Sequence, residues 1–371
     1  MSTYDVAAYI WPAYTGDEKR TRIFWPEGMG EWQSVKSAVK KHPDHTWPRK
    51  PLWGYQNEAD PFVMEGQIRA ALNYGVNVFI YDWYWYDRRP FLENCLNDGF
   101  LKAPSNKEMK FYLMWANHDA VQLWDKRNSH DNETVVWLGS QNEEEFKNIG
   151  RRVIEKYFVL DNYYRIDDKP VFMIYDVPNF VKGLGGIQKA RAAIDWFREE
   201  AVRCGLKGVH LQFALWNPAV TNISGVDGSK DVPAEAFSGV LGFDSLTHYQ
   251  FVHFVDVNRD FNEILPDVKK EWAKIDESFD IPYFPHISVG WDNNPRFEAY
   301  VLPEMKNNTP ENVEKGFEMA KEYADSHPDQ PRLITVNSWN EWTETSYLEP
   351  DDVNGYGYLE AIRRVFKGED Q

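Results

Sequence analysis

Residues 76–82 read VNVFIYD. The run is apolar almost throughout and rich in β-branched and aromatic side chains. A strand with one face in water alternates apolar and polar residues, whereas a strand covered on both faces need not. The segment therefore reads as a buried strand of a parallel sheet. Runs of the same kind recur as KFYLMWA (110–116), PVFMIYD (170–176) and PRLITVNSW (331–339). Strands are expected near 4–10, 76–82, 110–115, 171–175, 208–214, 241–247, 283–289 and 332–338.

Amphipathic stretches lie between them. One starts at Asp60-Pro61, a capping residue followed by a proline suited to the first helical position. Others run through 143–158, through IQKARAAIDWFREEAVRCG with Gly205 as a stop, from Thr309-Pro310 to about Ser326, and through YLEAIRRVF. Eight strands alternating with helices predict an α/β fold, a (β/α)8 TIM barrel, with a doubly wound open sheet as the rival. The segments after strands are long (11–59, 116–142, 215–238, 290–308), and those before them are short. In a barrel the long ones gather at one face, where active sites lie. No linker or repeat divides the chain, so one domain over 1–371 is expected.

The chain has 371 residues, 43% of them hydrophobic and a high 16% aromatic, and a net charge of −17. That charge argues against a nucleic-acid partner, whose phosphates require basic patches. No run approaches the ~18 apolar residues of a membrane span, so no membrane partner is expected. MSTYDVAAYIWP shows no signal peptide. The protein is expected to be periplasmic or secreted if a leader precedes this sequence, and cytoplasmic otherwise. The two cysteines, Cys95 and Cys204, form no disulfide framework and read as small core residues in helices. The sequence carries no HExxH, EF-hand loop or cysteine cluster, and GLGG at 183–186 reads as a turn. No metal and no cofactor is expected.

The expected strand ends share a composition. They supply Tyr9 and Trp11; Asp82, Trp83 and Trp85; Trp115, Asn117 and His118; Tyr175; Trp216; His248; Trp291; and Asn340 and Trp342. Flat rings beside amide, carboxyl and imidazole groups suit a cleft that holds sugars, so these residues are expected to bind substrate. Glu341 and Glu344 stand three apart, which brings them to one side if the chain turns helically after the eighth strand. Two carboxyls, one protonated and one ionised, are what glycoside hydrolysis requires. Acids at the start of a terminal helix are the competing explanation.

SWNEWTETSYLEPD (338–351), with AYIWPAY, VFIYDWYWYD, FYLMWANHD and KPVFMIYD, resembles the glycoside hydrolase family 99-like proteins, among them the WbsX-type proteins of bacterial polysaccharide clusters. The resemblance covers residue 7 to about 360 and implies a (β/α)8 barrel acting on glycosides. Family 99 enzymes are retaining endo-α-mannosidases with a similar N-E-W-x-E segment. By position, it implies that Glu341 is the base for the sugar 2-hydroxyl and Glu344 the general acid, then base. This chain has Thr343 and Thr345 where the mannosidases have His and Gly. WbsX-type proteins are also described as glycosyltransferases, but no DxD motif or glycine-rich phosphate loop stands here. The expected function is retaining hydrolysis of an α-glycoside, with an α-mannoside as a candidate, in a bacterial or host-type oligo- or polysaccharide. The alternatives are a glycosyltransferase and a non-catalytic glycan-binding barrel. An arginine ion pair on either glutamate would favour the last.

Overall fold

A computed structural model of the chain describes residues 4–131, 133–223 and 231–368, without the side chains of residues 218 and 219. Eight strands form its centre: β1 Asp5–Ile10, β2 Val78–Tyr86, β3 Lys110–Trp115, β4 Lys169–Ile174, β5 His210–Leu215, β6 Ser245–His248, β7 His286–Ser288 and β8 Leu333–Asn337. All neighbours pair in parallel, in the order β6-β5-β4-β3-β2-β1-β8-β7. The ring closes through the parallel bridge Leu246–Tyr283, where the Leu246 N–H donates to Pro282 O and the Phe284 N–H to Leu246 O, each at 3.0 Å. The chain is a (β/α)8 barrel.

The strands are buried as their runs imply; every residue of β2 is covered. Among the helices on the outside are α1 Pro61–Tyr74, α2 Glu143–Val153, α3 Val177–Leu184, α4 Ile187–Arg203, α5 Phe237–Leu241, α6 Phe261–Ser278, α7 Pro310–Ser326 and α8 Gly357–Phe366. The Asp60 carboxylate caps α1 by accepting from the Phe62 N–H at 2.8 Å. Helix α7 buries Val313, Phe317, Ala320 and Ala324 at helical spacing. No helix among the described residues is long and apolar enough to cross a membrane.

Three expectations need correction. Strand β2 runs on to Tyr86 because Arg89–Phe91 folds back and pairs with it antiparallel. Strand β6 starts at Ser245 rather than near 241, because VL ends α5 and Gly242 terminates that helix in the left-handed region at φ +86°. Cys204 is exposed at the end of α4 rather than in the core; Cys95 is buried.

Two devices hold the segment after β8. The first is a buried carboxamide. Asn340 Oδ1 accepts from the Trp11 N–H (2.8 Å), and its Nδ2 donates to Trp11 O (2.9 Å) and to the Glu58 carboxyl (3.0 Å). The second is a tight reversal. Asn340–Glu341 pairs with Ser346–Tyr347, and Trp342–Glu344 forms one 3-10 turn between them. Thr345 closes it at φ +56°, where a β-branched residue is strained. Its hydroxyl compensates by accepting from Trp47 Nε1 (2.7 Å) and donating to Asp292 O (2.9 Å). Gly290 lies against this turn so closely that a Cβ there would sit 2.0 Å from Thr345 O. The loop after β7 is thereby seated on the turn.

Two outcomes are expected. Burial pushes the Glu58 carboxyl from 4.5 to about 7, so folding favours its protonated form. Stability conferred by that form is complete below 4.5 and is lost as pH rises through about 7. Glu58→Gln should flatten that part of a Tm-against-pH curve. Thr345→Val should cost roughly 2–4 kcal/mol in denaturant unfolding, because it leaves two buried polar groups unpaired. Thr345→Gly should cost less, since it relieves the backbone strain.

Candidate functional site

A cavity of about 310 Å³ opens where the strands end. Its lining follows the two-residue period of a strand. Asp82 and Tyr84 of β2 face it; Met114, Ala116 and His118 follow from β3; Ala214 and Trp216 follow from β5. The pairing Asp82–Met114 between β2 and β3 places these two side by side. Trp11, Tyr175 and Tyr249 complete the walls with Trp124 from the loop after β3, and Glu341, Glu344 and Arg296 bring the charge.

Of the expected site residues, Trp11, Asp82, His118, Tyr175, Trp216, Glu341 and Glu344 line this cavity. The others do not, for reasons that strand geometry supplies. Trp83 and Trp85 lie on the opposite side of β2 from Asp82, where their indole N–H groups donate to Glu93 (2.7 Å) and Glu145 (3.0 Å). Trp115 pairs with Trp83 in register and stacks on Phe146. Asn117 holds the start of α3, donating to Asp176 O (2.7 Å) and accepting from the Asp176 N–H (2.8 Å). His248 stacks on Phe254 and bonds the Tyr283 hydroxyl (2.8 Å), while Thr247 before it points into the barrel toward Thr335. Tyr9 lies below the cavity with its hydroxyl on His248 O (3.0 Å). Trp342 stacks on Tyr347 and donates to Glu349 (2.6 Å), Asn340 is the carboxamide described above, and Trp291 is half-buried outside the lining.

Sequence reasoning missed Tyr84, Trp124, Tyr249 and Arg296. Strand parity could have found Tyr84, two residues from Asp82, and Tyr249, two from Thr247. Arg296 is one basic residue in a long loop, and nothing in the sequence singles it out.

Arg296 is fully buried and serves three carboxylates. Its Nε donates to Glu31 (2.9 Å), one terminal nitrogen to Glu344 Oε1 (2.6 Å) and the other to Glu341 Oε1 (3.1 Å). Its guanidinium also sits 5.9 Å from the centre of the Trp11 ring. One cation cannot neutralise three anions. Burial, then the charge of Glu344, pushes the Glu341 carboxyl up to about 8 despite Arg296. Burial also raises Glu344, against the pull of Arg296. The expected helical turn between the glutamates is present as the 3-10 turn, and it brings both to one guanidinium. Glu344 Oε2 and Asp82 Oδ1 have no hydrogen-bond partner among the described residues. The Tyr249 hydroxyl bridges Asp82 Oδ2 (2.9 Å) and Glu341 Oε2 (2.8 Å).

Among the described residues, potential metal-ligating groups gather at one further place. His45, Asp292 and Glu304 bring potential ligand atoms within 4.8 Å of one another. The Lys41 N–H donates to His45 Nδ1 (3.0 Å), so the ring hydrogen stands on Nε2, which donates to Asp292 (2.7 Å). Glu304 is occupied by His42 (2.8 Å) and Lys306. The cluster is a hydrogen-bonded latch between the loops after β1 and β7, with each of its three side chains engaged by protein groups.

The fold is shared with solved structures. The GH99 endo-α-mannosidase from Bacteroides thetaiotaomicron superposes with a TM-score of 0.59 at 14% identity, covering 98% of this chain and 96% of that one. A glycoside hydrolase-like protein gives 0.60 at 15% identity, over 99% and 94%. At such identities the likeness establishes the fold. The uncharacterized protein WxcX of Xanthomonas campestris pv. campestris is 25% identical over 347 residues, which are 92% of this chain and 47% of the relative. The chain thus spans about half the length of the curated relatives it matches. A family model described as glycosyltransferase WbsX matches residues 6–362, and the chain belongs to that family.

Proposed function

We propose that the protein is a retaining glycoside hydrolase cleaving an α-glycosidic bond in a bacterial or host-type glycan, with an α-mannoside as the first substrate to try. One observation carries the reading. Glu341 and Glu344 meet on a single guanidinium inside a cavity walled by Trp11, Tyr84, Trp124, Tyr175 and Trp216. The mannoside choice rests on the endo-α-mannosidase of similar fold.

In this reading the sugar 2-hydroxyl gives its proton to Glu341. Its oxygen attacks C1 while Glu344 protonates the leaving oxygen. Water then opens the 1,2-anhydro sugar, with Glu344 as base and Glu341 returning its proton. The active form needs one proton on the glutamate pair. Glu344, held by Arg296 through Oε1 alone, has Oε2 left to carry it.

Two other readings each have an observation in their favour. An arginine does pair with both glutamates, as a structural ion pair in a glycan-binding barrel would require. A structural pair, however, holds a carboxyl low, whereas Glu341 is pushed up to about 8 and keeps a titratable proton. The family's description favours a glycosyltransferase. Binding of nucleotide sugars in calorimetry, with no hydrolytic product, would support it.

Digestion of a glycan library, with the anomeric form of the product assigned by NMR, tests the proposal; retention is expected. Glu344→Gln should lower turnover on unactivated substrates at least ~100-fold, the scale of general acid catalysis, and an unchanged rate would overturn the assignment. The pH profile should fall on its alkaline side near 8, where the buried pair gives up its last proton.

A further inference from the structure

The bridge at Tyr249 imposes a proton count. A phenol hydroxyl has one hydrogen, yet Tyr249 lies within hydrogen-bond distance of two carboxyl oxygens, Asp82 Oδ2 at 2.9 Å and Glu341 Oε2 at 2.8 Å. It donates to one, so the other must be protonated and donate to it. All three groups are buried. The two carboxyls have unequal surroundings. Glu341 faces Arg296, Glu344, Glu31, Tyr249 and Tyr14. Asp82 faces Tyr249, Glu341 and Glu344, with Tyr9, Tyr84 and Tyr175 around it and no cation among them.

We propose that Asp82, Tyr249 and Glu341 form a proton relay in which Asp82 is the seat for the proton that Glu341 must shed to become a base. This rests on the reading of Glu341 as a base given above. The exchange balances. The Glu341 Oε2–H bond breaks as its proton passes to the Tyr249 oxygen, and the Tyr249 O–H proton passes to Asp82 Oδ2. Tyr249 stays neutral, and one negative charge moves from Asp82 to Glu341, beside Arg296. Glu344 need not surrender its own proton to the base. Asp82 and Tyr249 act here as positioning residues, working through Glu341. Burial, with the charge of Glu341 next, holds the Asp82 carboxyl well above the ordinary range, which is where such a seat has to be.

Infrared difference spectroscopy of the full chain across a pH series reads the relay without any substrate. In the substrate-free protein the relay leaves the shared proton on Asp82, with Tyr249 donating to ionised Glu341, so Asp82→Asn should delete one protonated-carboxyl band at neutral pH. Tyr249→Phe removes only the bridging oxygen, a donor to ionised Glu341, and should move the Glu341 band midpoint upward by about one pH unit. Glu341→Gln identifies that band. A band retained in Asp82→Asn, or a midpoint unmoved in Tyr249→Phe, overturns the relay. With a hydrolysed glycan in hand, both variants should lose about 10-fold or more in kcat with little change in KM. An unchanged kcat in both also overturns it. If the wild type hydrolyses nothing, the proposed function fails while the infrared result still decides the relay.

Discussion

The site depends on a single buried cation. Arg296 reaches Glu31 from the loop after β1 and Glu341 and Glu344 from the turn after β8, and it is itself carried by the loop after β7. Three loops that sequence separates widely are thereby held at one point. Burying such groups is costly unless each is paired, and here every charge depends on the same partner. The arrangement is therefore rigid and left with an excess of negative charge. Burial, with that excess added to it, raises the proton affinity of Glu341, Glu344 and Asp82.

Around this point the barrel supplies walls and supports. Seven of the 16 tryptophans, among them Trp83, Trp115, Trp339 and Trp342, are almost wholly buried, and two of these, Trp83 and Trp342, anchor a carboxylate through the indole N–H. The aromatic richness that suggests sugar binding is thus largely spent on the core and on the layer behind the site. Tyr84, which faces the cavity, alternates along β2 with Trp83 and Trp85, which do not. Glu349 falls in the supporting layer: it receives the Trp342 indole and is held well above the ordinary carboxyl range by burial and by Glu58.

The barrel was legible because buried parallel strands write themselves as continuous apolar runs and their helices as periodic ones. The same continuity hid the site. A run such as YDWYWYD has no polar alternation to say which residues face inward, so Trp83 and Trp85 look as eligible as Asp82 and Tyr84. Only register separates them: Asp82 pairs with Met114 on the cavity side, and Trp83 with Trp115 on the other. His248 and Tyr249 differ in the same way. Thr345 shows the converse case, in which a residue unremarkable in sequence holds a left-handed turn through two side-chain hydrogen bonds.

Sequence alone determined the architecture, the end of the barrel where the long loops gather and the spacing that sets Glu341 beside Glu344, because each is a local pattern of hydrophobicity, loop length or spacing. Tertiary structure alone decided that Arg296 joins those glutamates to Glu31 and that Tyr249 ties Asp82 to Glu341. These contacts span from 45 to 265 residues of chain. Proton affinities in the cleft arise from the sum of such distant charges in a dry space, and no stretch of sequence contains that sum.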